Sequence, residues 1–152
     1  MNRSIAVGPH VGHHFHFDER ASALTRRLVP LGRAMFAAIF LVSAPGHFGQ
    51  GAISYAASQG VPMPGLLVPL SGVLALLGGL SVLLGFRARI GAAMLIAFLV
   101  PVTLMMHNFW AFSDPMQAAM QQGMFMKNMS MLGGAILIAH FGAGPMSMDR
   151  RG

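Results

Sequence analysis

The chain alternates between long apolar runs and short polar or glycine- and proline-rich breaks, and the runs are too long and too uniformly apolar for the stripe of a water-soluble helix. The run from Leu66 to Phe86, LLVPLSGVLALLGGLSVLLGF, carries no charge and as a helix extends about 31 Å, the depth of a bilayer core. Its leucines and valines make insertion favourable, and Pro69 falls in the first turn, where a missing N–H costs little. A second run ends near His107 and holds Pro101, which a membrane helix tolerates as a kink. A third spans Leu31 to Phe48, with Arg33 near its start able to snorkel its guanidinium to the headgroups. The fourth, ending at Ala143, is short and rich in glycine. Spans are thus expected at about 31–48, 66–86, 90–107 and 128–143.

The breaks carry turn signals. Between the first two spans, AISYAAS reads as a short interfacial helix stopped by Gly60 and VPMPG. Between the last two, Asp114 is a plausible N-cap with Pro115 at the first helical position. That helix is expected to break at Gly123 before the fourth span. Phe109, Trp110 and Phe112 fit an aromatic belt at the membrane surface.

Charge orients the spans. Arg3, Arg20, Arg26, Arg27 and Arg33 precede or open the first. Arg87 and Arg89 lie between the second and third, and Arg150 and Arg151 follow the fourth. With four crossings every arginine falls on one side and Lys127 alone on the other, and the positive-inside rule makes the arginine side cytoplasmic. The expected fold class is an all-α membrane protein, a four-transmembrane-helix bundle with both termini cytoplasmic. Residues 1–27 form a flexible His-rich cytoplasmic tail, 28–144 the membrane domain and 145–152 a second cytoplasmic tail. The expected location is the inner (plasma) membrane, in multi-pass form. The first 27 residues lack the apolar stretch of a cleavable signal.

Composition narrows the chemistry further. Of 152 residues, 55% are hydrophobic and 9% charged, against roughly 25% charged in a soluble domain, and mean hydropathy is +0.62. The net charge of +6 does not indicate nucleic acid as a partner, because the arginines punctuate apolar runs instead of clustering on one soluble face. The absence of cysteine removes disulfides, thiolate metal sites and thiol redox chemistry. Ser71, Ala75 and Gly79 recur at four-residue spacing on the second span, with Gly133 and Gly134 on the fourth. Such smooth faces let helices pack closely, within the bundle or against a further copy or partner.

The sequence resembles the DoxX family of small four-helix membrane proteins over about residues 30–140. The resemblance lies in LGR at 31–33, FLVSAPGHF at 40–48, QGVPMP at 59–64, LLGGLSVLLGFRAR at 76–89, HNFW at 107–110 and KNMSMLGG at 127–134. It implies an inner-membrane protein associated with quinone-linked or other oxidoreductase complexes. Two departures stand out: Ala75 occupies a position where many relatives carry Glu, and His47 one where many carry Lys.

The topology brings a few polar groups to one level. His47 ends the first span, His107 ends the third, and Lys127 and Asn128 open the fourth. Ionisable residues at membrane depth are costly enough to suggest a site. An outer-leaflet pocket for a quinone headgroup, the one cofactor the sequence suggests, would use His47 and His107 as hydrogen-bond partners or proton carriers. Lys127 would stabilise negative charge, Asn128 would add an amide, and Trp110 would wall the ring. On the inner side Arg33 and His140 are expected to bond loop carbonyls or lipid phosphates.

A different class of function is metal handling, with His10, His13, His14 and His16 as a cluster of imidazole ligands and Met116, Met120 and Met124 as a thioether stripe suited to copper. The two groups fall on opposite sides of the membrane and cannot form one site. The reading that best fits the few polar groups is an accessory subunit of a membrane oxidoreductase or stress-related complex, not an enzyme on its own.

Overall fold

A computed structural model describes residues 15–149. It is helical throughout: α1 (Phe15–Ser43), a 3-10 turn (Ala44–Phe48), α2 (Gln50–Ser58), α3 (Pro64–Leu84), α4 (Ala88–Met106), a second 3-10 turn (Phe109–Ala111) and α5 (Pro115–Phe141). Three stretches are long and apolar enough to cross a membrane: Arg26–Phe48, Pro64–Leu84 and Ala88–Ala111. Each of α1, α3, α4 and α5 runs against its neighbour in space, α3 lying between α1 and α4, and α5 lying along the other side of α4.

Two element boundaries differ from expectation. The N-terminal tail expected over 1–27 is helical from Phe15 onward, because Asp18 and Glu19 sit near a helix start, where the dipole favours negative charge. The following Ala, Leu and Arg residues are also strong helix formers. At the other end α5 starts at Pro115 and continues through Gly123 without a break. Asp114 caps it, its carboxylate accepting the Gln117 N–H at 2.8 Å. The one-residue penalty of a helical glycine, about 1 kcal/mol, is too small to interrupt a run so well started.

Close approach of backbones sets the packing. An added Cβ on Gly78 would meet the Leu95 side chain at 2.8 Å and the Gly91 carbonyl oxygen at 2.9 Å, so α3 and α4 cross nearly backbone to backbone. Ala75 and Gly79 of α3 are buried, Gly79 facing Phe40 and Leu41 of α1. Gly134 of α5 faces the Phe36 ring. The core between these seams is built from Phe40, Val82, Leu95, Phe98 and Leu99.

The arginine-rich end is closed by the C-terminal segment. Gly85, in the left-handed region at φ 64°, ends α3, and the Phe86 N–H returns to the Ser81 carbonyl at 3.0 Å, a glycine-terminated helix end. Residues beyond α5 then dock on this turn: Asp149 N donates to Gly85 O at 2.7 Å and Met148 N to Leu84 O at 3.3 Å. The Asp149 carboxylate accepts from Arg87 N at 2.5 Å and Ala88 N at 3.1 Å, capping α4. Arg33 of α1 is buried at 6% exposure. Its guanidinium donates to the carbonyls of Ala143 at 2.8 Å and Met146 at 2.7 Å. The described part of the segment expected as a cytoplasmic tail, 145–149, is therefore a clasp joining α1, the α3–α4 turn and α5.

Candidate functional site

The opposite end is open and holds two adjoining cavities. Pro45 and Gly46 stop α1, since proline lacks the N–H that an α-helix needs at that point, and the chain tightens into the 3-10 turn Ala44–Phe48. That turn lays His47 over α3 where Gly72 has no side chain; a Cβ there would stand 2.7 Å from His47 Cβ. The His47 ring packs edge-on to Phe98 of α4 at 5.5 Å, and its Nδ1 lies 3.2 Å from the Ser43 carbonyl oxygen.

His107 ends α4 at a non-helical φ of −127°. Its Nδ1 lies 2.8 Å from Gln121 Oε1 on α5, and Gln121 Nε2 donates to Tyr55 Oη on α2 at 3.4 Å. One side chain of α5 thus ties the end of α4 to the short helix α2.

The larger cavity, about 420 Å³, lies between α3 and α4 beneath α2. Its walls are Leu, Val, Met and Phe side chains, and its polar groups are His47, Tyr55, Ser71 and His107. The Ser71 hydroxyl is already engaged with the Val68 carbonyl at 2.7 Å. The smaller cavity, about 180 Å³, lies between α1, α4 and α5 and contains Ser43, Lys127 and Asn128. His47, Phe98, Val102 and His107 line both. An apolar chamber of the size that ligands occupy therefore shares a wall with a smaller one that also holds Ser43, Lys127 and Asn128, and the two imidazoles stand in that wall.

The structure brings His47, His107, Lys127 and Asn128 together around the smaller cavity. Asn128 is buried, while Lys127 is exposed with Nζ 3.4 Å from Met124 Sδ. Trp110 is placed elsewhere: it lines neither cavity and packs edge-on to Phe109 at 5.2 Å and Phe125 at 5.9 Å. The second 3-10 turn swings it outward to 59% exposure, so Trp110 forms no wall for a bound ring. Arg33 is held by the C-terminal carbonyls, and His140 is exposed and packs edge-on to Phe141 at 4.7 Å. His10, His13 and His14 lie outside the described residues, and His16 lies in the first turn of α1. Met116, Met120 and Met124 are exposed along α5.

Tyr55, Gln121 and Phe98 are site residues that the sequence reading missed. Tyr55 is the chain's single tyrosine, set in a short interfacial helix, and Gln121 is an amide in a Met- and Ala-rich helix; both were signals of a polar contact. Phe98 has no local mark that separates it from other core aromatics.

Three membrane-length helical stretches and a lipophilic cavity with few polar groups define the class: a multi-pass integral membrane protein. The DoxX family model matches residues 28–108, from the apolar part of α1 through His107, and the chain belongs to the DoxX family. The SURF4 family model matches residues 70–152, reaching through α5 and the clasp. The chain is 31% identical over 103 residues to the inner membrane protein YphA of Escherichia coli (strain K12), an alignment covering 66% of this chain and 71% of that protein. No solved structure matches the chain.

Proposed function

We propose that the protein crosses the inner membrane four times with both termini cytoplasmic, and serves as an accessory subunit of a membrane oxidoreductase or stress-related complex. Its contribution is an outer-leaflet pocket for the ring of a quinone-type lipophile. The observation that carries this reading is the pair of adjoining cavities, the larger almost wholly apolar and the smaller holding Lys127 and Asn128, with His47 and His107 in the shared wall. An isoprenoid-like tail suits the larger chamber, and a ring oxygen suits the imidazoles, Lys127 and Asn128. A fourth crossing by α5 is supported by its packing along α4 and by the return of residues 143–149 to the arginine-rich end. The inner-membrane location has the support of the YphA relative.

The test is equilibrium binding of a short-chain quinone, in both redox states, to the purified protein in nanodiscs. Saturable binding is expected, weakened at least about tenfold by combining His47→Ala with His107→Ala, since each lost hydrogen bond in an apolar site costs about 1 kcal/mol or more. Ala52→Trp, which fills the larger cavity, should abolish it. No saturable binding in either redox state overturns the reading.

A further inference from the structure

The hydrogen bonds around the two imidazoles decide what kind of oxygen the pocket accepts, and this inference rests on the pocket reading above. A neutral imidazole has one N–H donor and one bare nitrogen acceptor, and the partner of one fixes the other. His47 Nδ1 faces the Ser43 carbonyl oxygen at 3.2 Å. A carbonyl only accepts, so the proton sits on Nδ1 and Nε2 keeps its lone pair.

His107 reaches the same state through a longer path. The Gln121 amide nitrogen donates to Tyr55 Oη at 3.4 Å, and the amide oxygen faces His107 Nδ1 at 2.8 Å. The proton again sits on Nδ1. Among the described residues neither Nε2 has a protein partner, while both rings line both cavities. The shared wall therefore offers two hydrogen-bond acceptors. Of the donors nearby, the Lys127 ammonium and the Asn128 amide line the smaller chamber alone, and the Tyr55 hydroxyl lines the larger.

We infer that the pocket selects hydroxyl-bearing lipophilic rings, quinols and related phenols, over the corresponding carbonyl forms. A quinol hydroxyl donates to an imidazole Nε2 and still has lone pairs for Lys127 or Asn128. A quinone carbonyl has lone pairs only; set against Nε2 it leaves two acceptors facing each other in an apolar site. Specificity of this kind comes from the buried polar group that the wrong ligand leaves unpaired. Gln121 acts as a positioning residue, since it lines neither cavity and holds His107 in the accepting tautomer through its amide oxygen.

Two measurements decide it. In protein labelled with 15N-histidine, the His47 and His107 resonances, assigned by their loss in the alanine variants, should show a protonated Nδ1 and a bare Nε2 at about pH 8.5, where imidazoles are ordinarily neutral. Gln121→Leu should convert the His107 signature to a tautomer mixture and leave His47 unchanged. An Nε2–H at either histidine of the unaltered protein overturns the inference without reference to any ligand. In nanodiscs at the same pH, a short-chain benzoquinol kept reduced under nitrogen should bind about tenfold tighter than its quinone. His47→Ala or His107→Ala should narrow that ratio while quinone affinity changes less. Equal affinities, or tighter quinone binding, overturn the inference and leave the pocket reading standing. If neither form binds, the pocket reading falls and the inference with it.

Discussion

Asp149 and Arg87 meet although 62 positions separate them: the Asp149 carboxylate accepts the Arg87 backbone N–H at 2.5 Å and, with its other oxygen, the Ala88 N–H at 3.1 Å. Arg87 is held at φ 48°, a left-handed conformation unfavourable for a residue with a side chain. The first N–H groups of α4 have no partner within the helix. The carboxylate answers both by fixing the turn and capping the helix. Asp149→Ala should therefore cost about 1–2 kcal/mol of stability, seen as a lower melting temperature in detergent. Asp149→Asn should recover part of the loss, because an amide oxygen still accepts one of the two bonds.

Arg33 should prove more costly to remove. Its two bonds to the Ala143 and Met146 carbonyls are charge-assisted, and both acceptors lose their partner when the guanidinium goes. Arg33→Met is expected to destabilise by about 3 kcal/mol. Arg33→Lys should lose about half as much, since a single ammonium cannot fork across two carbonyls as a guanidinium does. Chemical unfolding in one detergent at fixed lipid content gives both values.

The glycines should divide by their surroundings. A Cβ on Gly123 meets nothing within 4 Å, so Gly123→Ala should stabilise α5 by up to about 1 kcal/mol. Gly78→Ala forces Leu95 and the Gly91 carbonyl away and should destabilise by about 1–3 kcal/mol. The opposite signs are the prediction, and thermal unfolding reads them.

Orientation can be mapped cleanly because the chain has no cysteine of its own. Single cysteines at Ser58 and Ser113 should react with an impermeant maleimide in intact cells. Cysteines at Ser4 and Gly152 should react only after permeabilisation. Labelling of Gly152→Cys from outside while Ser4→Cys stays shielded would mean an odd number of crossings.

The parts legible in the sequence were those governed by uncharged length. The second and third spans, expected at 66–86 and 90–107, coincide within two residues with α3 at Pro64–Leu84 and α4 at Ala88–Met106, because lipid admits no charge and the arginines at 87 and 89 mark the turn. The Asp114 cap was legible as local chemistry. The continuity of α5 through Gly123 was not, because its first turns are Met, Gln and Ala, which favour helix without forming an apolar run. Arg33 was expected to find loop carbonyls or lipid phosphates, but not these partners: it reaches carbonyls about 110 positions away, and backbone carbonyls leave no mark in a sequence. His47 and His107 were singled out by type and depth. The Gln121–Tyr55 contact that orients His107 joins residues 66 apart, a distance that no local pattern encodes.

The clasp also sets an order of events during synthesis. α1 leaves the ribosome before residues 143–149, and it carries Arg33 into the bilayer long before those residues exist. Until those residues are made, the guanidinium must borrow lipid phosphates or water, so the early inserted helices are held provisionally. Only when residues 143–149 fold back over the α3–α4 turn does the arginine-rich face lock. A nascent chain arrested before Ala143 would keep its spans yet display an unsheltered arginine, a feature by which membrane quality control could tell a truncated copy from a finished one.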